Sequence, residues 1–76
     1  MEVTKLVNDI KSDLQAVEIA GKTPALIRLH PLYHRTFKRF NPDGFKRHTS
    51  ADEYSTFLGI PIQEDVKQKY FEIFVN

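Results

Sequence analysis

A chain of 76 residues, 41% hydrophobic and 12% aromatic, is one domain's worth of sequence: too apolar to stay disordered, and small enough to bury only about 60% of its unfolded surface. It has no cysteine, which excludes a disulfide framework and thiolate chemistry. The N-terminus shows no apolar signal region, and no apolar run approaches the ~20 residues that span a bilayer, so a soluble, cytoplasmic protein with no membrane partner is expected.

The net charge of +1 is unevenly placed. Residues 1–27 carry four acids and three bases, net −1, and residues 49–76 carry five acids and two bases, net −3. Between them, residues 28–48 hold six bases, Arg28, Arg35, Lys38, Arg39, Lys46 and Arg47, against Asp43 alone, net +5. All three histidines, His30, His34 and His48, lie in the same block. Such a basic centre fits an acidic protein partner, nucleic-acid phosphates, or equally an ordinary solvated face.

Val3, Leu6, Val7, Ile10, Leu14 and Val17 recur at helical spacing, with Lys5, Asp9, Lys11, Asp13 and Gln15 off that stripe. This predicts a helix from about Glu2 to Ala20 closed by Gly21, its stripe packed on the domain's own sheet; a two-helix dimer seam is the alternative. Ala25–Leu29 is too short for a helix and lies between Pro24 and Pro31, which reads as a strand. Pro31 biases His30 to an extended conformation and suits the first turn of a second helix, Leu32–Phe40. Tyr33, Phe37 and Phe40, with Leu32 alongside, would form its buried face, leaving His34, Arg35, Lys38 and Arg39 on the other. Asn41-Pro42-Asp43-Gly44 then stops it.

Residues 44–53 read as a loop or an irregular edge hairpin, with Ser50 and Glu53 spaced as a capping box. Tyr54–Gln63 is extended in character, and Gly59 and Pro61 within it predict a bulge or an edge position. After a turn at Glu64–Lys67, Tyr70–Val75 alternates as a last strand, with Tyr70, Glu72 and Phe74 on one face and Phe71, Ile73 and Val75 on the other. The expected fold is a single α+β domain over residues 1–76, of order α-β-α-(loop)-β-β, with two helices on a three- to four-stranded sheet.

Catalytic and metal chemistry find little support. His30 and His34 are four apart, and with His48 could in principle hold a zinc ion. Pro31, however, puts His30 at or before the helix start, so the pair need not share a helical face, and there is no cysteine and no H-E-x-x-H carboxylate partner. Solvent-facing or cap histidines are the plainer reading. Ser50, Ser55 and Thr56 lie near His48 without a nucleophile elbow, and Lys22 follows Gly21 without the rest of a phosphate loop. The expectation is a binding protein rather than an enzyme, with no cofactor and no metal. Its contact residues are Arg28, Arg35, Lys38, Arg39, Lys46 and Arg47, and the alternative reading is a nucleic-acid binder using residues 28–48. A homodimer would suit so small a core.

The run G-x-x-P-A-L-I-R-L-H-P-L-Y-H-R-T-F, then N-P-D-G, then F-L-G-I-P-I-Q-E-D and a last strand resembles the axial-domain core of tailed-phage major capsid proteins. The matching residues are Pro31, Tyr33, Asp43, Gly44, Leu58, Gly59, Pro61 and Ile62. The resemblance covers most of residues 3–75, but the family's spine helix, extended loop and peripheral domain have no counterpart here. It implies a small stand-alone protein of a phage or prophage, one that docks onto a virion component or blocks a host factor. No catalytic residues come with it.

Overall fold

The computed structural model describes residues 3–48 and 54–76. The predicted capping box of Ser50 and Glu53 lies outside the described residues. Two helices and five strands follow in the order α1 (Val3–Ile19), β1 (Pro24–Leu29), α2 (Pro31–Phe40), β2 (Phe45–His48), β3 (Tyr54–Phe57), β4 (Ile60–Glu64) and β5 (Phe71–Val75). The α+β class and the two helices stand as expected. The sheet is larger than the expected three or four strands: five strands are ordered β2-β3-β4-β1-β5.

The α1 stripe buries Leu6, Val7, Ile10 and Leu14 against the sheet, so it is core and not a dimer seam. The helix ends where Gly21 takes a φ of +74°, a conformation that glycine adopts without the steric cost of a Cβ. There Gly21 N–H donates to Glu18 O (2.9 Å) and Lys22 N–H to Val17 O (3.0 Å), closing the paired bonds of a Schellman cap.

β1 pairs parallel with β4 (Ile27 opposite Ile62, Leu29 opposite Glu64) and antiparallel with β5 (Ile27 opposite Ile73, Leu29 opposite Phe71). Because alternate strand residues point to opposite faces, Ile27, Leu29, Ile62, Phe57, Phe45, Phe71 and Ile73 all share the side covered by the helices. Phe37 of α2 plugs the middle of that layer, fully buried, with its ring 5.4 Å from Phe45 and 5.3 Å from Phe57. Among the described residues the opposite face carries no helix. It presents Leu26 and Arg28, Lys46 and His48, Tyr54 and Thr56, Pro61 and Gln63, and Glu72 and Phe74.

Several local expectations are narrowed or corrected. Of the loop and the edge hairpin read for residues 44–53, Phe45–His48 takes the second form: an edge strand paired antiparallel with β3 (Phe45 opposite Phe57, His48 opposite Tyr54). Tyr54–Gln63 is not one extended run but a hairpin. Leu58 and Gly59 form its two-residue turn, at φ of 53° and 81°, the all-positive geometry that matches strand twist. Leu58 is held in that unusual conformation by its N–H, which donates to Gly44 O at 2.9 Å.

Pro61 therefore lies in a central strand and not at an edge. It sits opposite Thr56, and the β1 ladder begins only at Ile62, so its missing N–H removes no sheet bond. Finally, Tyr70 precedes β5 and turns to the helix side, where its hydroxyl donates to Asp9 Oδ2 at 2.7 Å. Glu72 and Phe74 keep the predicted face without it.

Candidate interaction surface

The centre of the candidate surface is α2. His30 is its N-cap: extended at φ −60° and ψ 140°, it accepts the Leu32 N–H on Nδ1 at 3.1 Å. Pro31 occupies the first turn, where its missing N–H would have been unpaired in any helix. At the other end Asn41 takes the left-handed conformation and donates its N–H to Phe37 O at 2.7 Å. The basic last turn, Lys38 and Arg39, complements the negative end of the helix dipole.

The buried arc of α2 is rotated from the expected one. His34, expected on the polar side, is buried at 6% exposure, while Phe40 (55% exposed) and Leu32 (57% exposed), expected on the core side, face outward. The cause is a polar partner. His34 Nδ1 lies 2.6 Å from Glu64 Oε2 on β4, which lets the ring enter the core edge-on to Phe45, centroids 6.1 Å apart. The carboxylate accepts, so Nδ1 carries the proton and Nε2 is a bare lone pair. That atom is buried without a partner among the described residues. Burial holds the imidazole's pKa below its ordinary value. The positive charges of Lys38 and Arg47 act in the same sense, and the Glu64 hydrogen bond opposes them.

With the arc so placed, the outer crest of α2 reads Leu32, Arg35, Thr36 and Arg39, flanked by Lys38 and Phe40. Arg35, Lys38 and Arg39 are all exposed, and none has an ion-pair partner among the described residues. The Arg39 guanidinium lies over the Phe40 ring, 5.5 Å from its centroid.

The other predicted contact residues are placed elsewhere. Arg47 is opposite Ser55, on the helix-covered side of the sheet, where its charge reaches His34. Lys46, one residue earlier, points to the helix-free face, as does Arg28. Arg28 is tied down there: Nε donates to Gln63 Oε1 at 3.1 Å, a terminal nitrogen lies 3.6 Å from Asp65 Oδ2, and the guanidinium covers the Phe74 ring at 4.8 Å. The fold thus brings Arg35, Lys38 and Arg39 together, with Arg47 on the same side of the sheet, and sends Arg28 and Lys46 to the opposite face.

Two further features escaped the sequence reading. His48 and Tyr54 stack on the helix-free face, centroids 4.5 Å apart and planes 9° from parallel, with His48 Nε2 3.1 Å from Thr56 Oγ1. Their register as neighbours across β2 and β3 is not fixed by a sequence that leaves residues 44–53 open between a loop and an edge hairpin. Two concavities among the described residues are small. One of about 190 Å³ lies between α1 and the β3–β4 hairpin (Leu14, Glu18, Pro24, Leu58, Ile60), and one of about 210 Å³ lies beside Arg28, Gln63 and Asp65. Both fall below the ~300–1,000 Å³ of ordinary small-molecule sites. Among the described residues no group of three potential ligands could hold a metal ion, and no helix is long and apolar enough to cross a membrane.

No protein-family model matches the sequence, and neither a curated protein nor a solved structure matches the chain.

Proposed function

We propose that this is a non-enzymatic binding protein whose outer α2 surface docks an acidic, partly apolar segment of another protein. The observation that carries this reading is the composition of that crest. Three cations without a described acidic partner stand between two exposed apolar side chains, Leu32 and Phe40. Lys5 and Arg28 are matched by Asp9 and Asp65 within the chain. Several lysines outside the crest are also unpaired among the described residues, and what sets the crest apart is that its three cations cluster beside exposed apolar side chains. Unmatched charge steers an oppositely charged partner and sets specificity, while the apolar flanks supply area that can be desolvated. Following the capsid-core resemblance, we place the protein in a phage or mobile element, acting in the cytoplasm of the host cell on a virion component or a host factor.

Affinity capture with the wild type and with a variant combining Arg35→Glu, Lys38→Glu and Arg39→Glu tests this. The reading expects a captured partner to be lost with the triple reversal. Undiminished capture would move the contact off α2.

A second reading, nucleic-acid binding, is favoured by one observation. The stacked Tyr54–His48 pair and Lys46 share an exposed sheet face, and aromatic rings beside a cation are what single-stranded bases and phosphates require. It predicts affinity that falls steeply with salt. The crest of α2 fits it less well, because Leu32 has no use at a phosphate and the Phe40 ring is already covered by Arg39.

A further inference from the structure

The two edges of the sheet differ in kind. β2, at one edge, carries Lys46 and Arg47 among its four residues, the charged side chains that keep an open edge from pairing with another chain. β5, at the other, reads Phe-Glu-Ile-Phe-Val, with no proline and no basic residue. Its single charge, Glu72, points to the helix-free face and accepts from Gln68 Nε2 at 2.8 Å. An unguarded strand of high β-propensity at a free edge is a template for another strand.

The backbone fixes what register that strand would take. His30 N–H donates to Tyr70 O (3.3 Å), and the β1–β5 ladder keeps the same register through Arg28–Glu72 and Leu26–Phe74. Since bonded and non-bonded pairs alternate in an antiparallel ladder, Tyr70, Glu72 and Phe74 turn their backbone groups to β1. Past the irregularity in β1, Asn76 N–H donates to Thr23 O at 3.0 Å, which continues the same parity. The N–H and C=O groups of Phe71, Ile73 and Val75 therefore point outward. All three residues lie at odd positions symmetric about Ile73.

We propose that β5 pairs antiparallel with β5 of a second copy of this chain about a twofold axis at Ile73. That register sets Ile73 against Ile73 and Phe71 against Val75 in both directions. All three are bonded positions, so the outward groups of both copies are satisfied at once by six backbone hydrogen bonds, two for each pair. On the helix side the paired residues are wholly apolar, and Val75, 38% exposed in the single chain, meets Phe71 of the second copy. On the open face Glu72 comes opposite Phe74 of the second copy, the ring that lies under Arg28 in its own chain. Each Glu72 thus comes opposite a ring that carries a guanidinium in its own chain, and each copy supplies one of both. This self-complementarity is what selects a second copy over an extended peptide of another protein. The product is one continuous sheet of ten strands, five from each copy, ending at both sides in a β2 edge guarded by Lys46 and Arg47. The pairing closes and does not propagate.

The test is sedimentation equilibrium on the full chain across a dilution series, combined with amide hydrogen exchange followed by NMR. The expected result is a monomer–dimer equilibrium in which the Phe71, Ile73 and Val75 amides become protected only at concentrations where the dimer forms. Val75→Pro removes an outward donor that no bond within the chain uses, and Val75→Lys sets a charge against Phe71. Each variant should be monomeric while keeping the circular dichroism of the wild type. A monomer at every concentration, a dimer that leaves those three amides exchanging freely, a dimer undisturbed by either substitution, or protection seen only with an added peptide would each overturn the proposal.

Discussion

His34 Nδ1 and Glu64 Oε2, 30 residues apart in sequence, meet at 2.6 Å and fasten α2 to β4. The contact has a pH signature with a definite sign. Burial lowers the imidazole's pKa in the folded chain, so the unfolded chain binds the proton more readily. The neutral ring's contribution is fully present above the ordinary histidine value of 6.5 and is lost as pH falls below it. The groups facing the ring from its neighbours, Lys38 on α2 and Arg47 on β2, act in the same sense, and Glu64 on β4 opposes them. Urea unfolding should therefore show a midpoint that drops from pH 7 to pH 5.5 in the wild type, and a flatter profile in His34→Leu. Parallel profiles would contradict the assignment.

Phe37 is the packing counterpart of that fastening. Fully buried between Phe45 and Phe57, it leaves a cavity when truncated, and Phe37→Ala should cost ~3–5 kcal/mol in urea unfolding. Against a small domain's total of roughly 5 kcal/mol or somewhat more, that brings the chain close to unfolding. Phe40→Ala, at the exposed end of the same helix, should cost well under 1 kcal/mol, as surface substitutions usually do. Equal costs would mean that the aromatic spacing, and not the observed arc, describes the helix.

Gly44 joins α2 to β2 at a φ of +92°, and a Cβ there would come 2.7 Å from Leu58 Cδ2. Gly59, also at positive φ, has no atom within 4 Å of such a Cβ. Both alanine variants meet backbone strain of about 1–2 kcal/mol, and Gly44→Ala adds a clash. Thermal melts should rank Gly44→Ala below Gly59→Ala. Adding Leu58→Ala should recover part of the difference, because the obstructing atoms belong to one exposed side chain.

Tyr70 makes the corresponding prediction at high pH. Burial first, and its hydrogen bond to Asp9 second, push the phenol from 10.0 up to about 12. A raised folded value means stability that is whole below pH 10 and is lost as pH rises towards 12, since the unfolded phenol ionises first. Ultraviolet titration should show one tyrosine ionising late, absent in Tyr70→Phe. That variant should also lose less stability between pH 10 and pH 12 than the wild type.

What could be read from sequence follows from how local each cause is. The α1 stripe, the Gly21 cap and Pro31 at the start of α2 depend on residues within a turn or two, and their positions were legible. The rotation of α2 was not, because the apolar-first rule places Phe40 inward and nothing near His34 announces that Glu64 will satisfy it. For β2 the sequence leaves a loop and an edge hairpin both open, for the same reason: Phe45-Lys46-Arg47-His48 has one apolar residue and becomes a strand only through β3. The hairpin turn at Leu58-Gly59 lacks the usual Asn-Gly signal and depends on the bond from Leu58 N–H to Gly44 O. The basic block was legible as a sequence feature. Its division was not, because consecutive strand residues Lys46 and Arg47 diverge to opposite faces once β2 is recognised.

Binding of an acidic protein segment to the outer crest of α2 can be followed residue by residue in an NMR titration. Two probes would be added to the labelled chain at physiological salt: a glutamate-rich, leucine-containing peptide, and random single-stranded DNA. The peptide should shift the amides of Leu32, Arg35, Lys38, Arg39 and Phe40, and the combined Arg35→Glu, Lys38→Glu and Arg39→Glu variant should abolish those shifts. DNA binding that centres on Lys46, His48 and Tyr54, with a log–log salt slope of about −2 or steeper and no response of α2 to the peptide, would contradict docking at the crest.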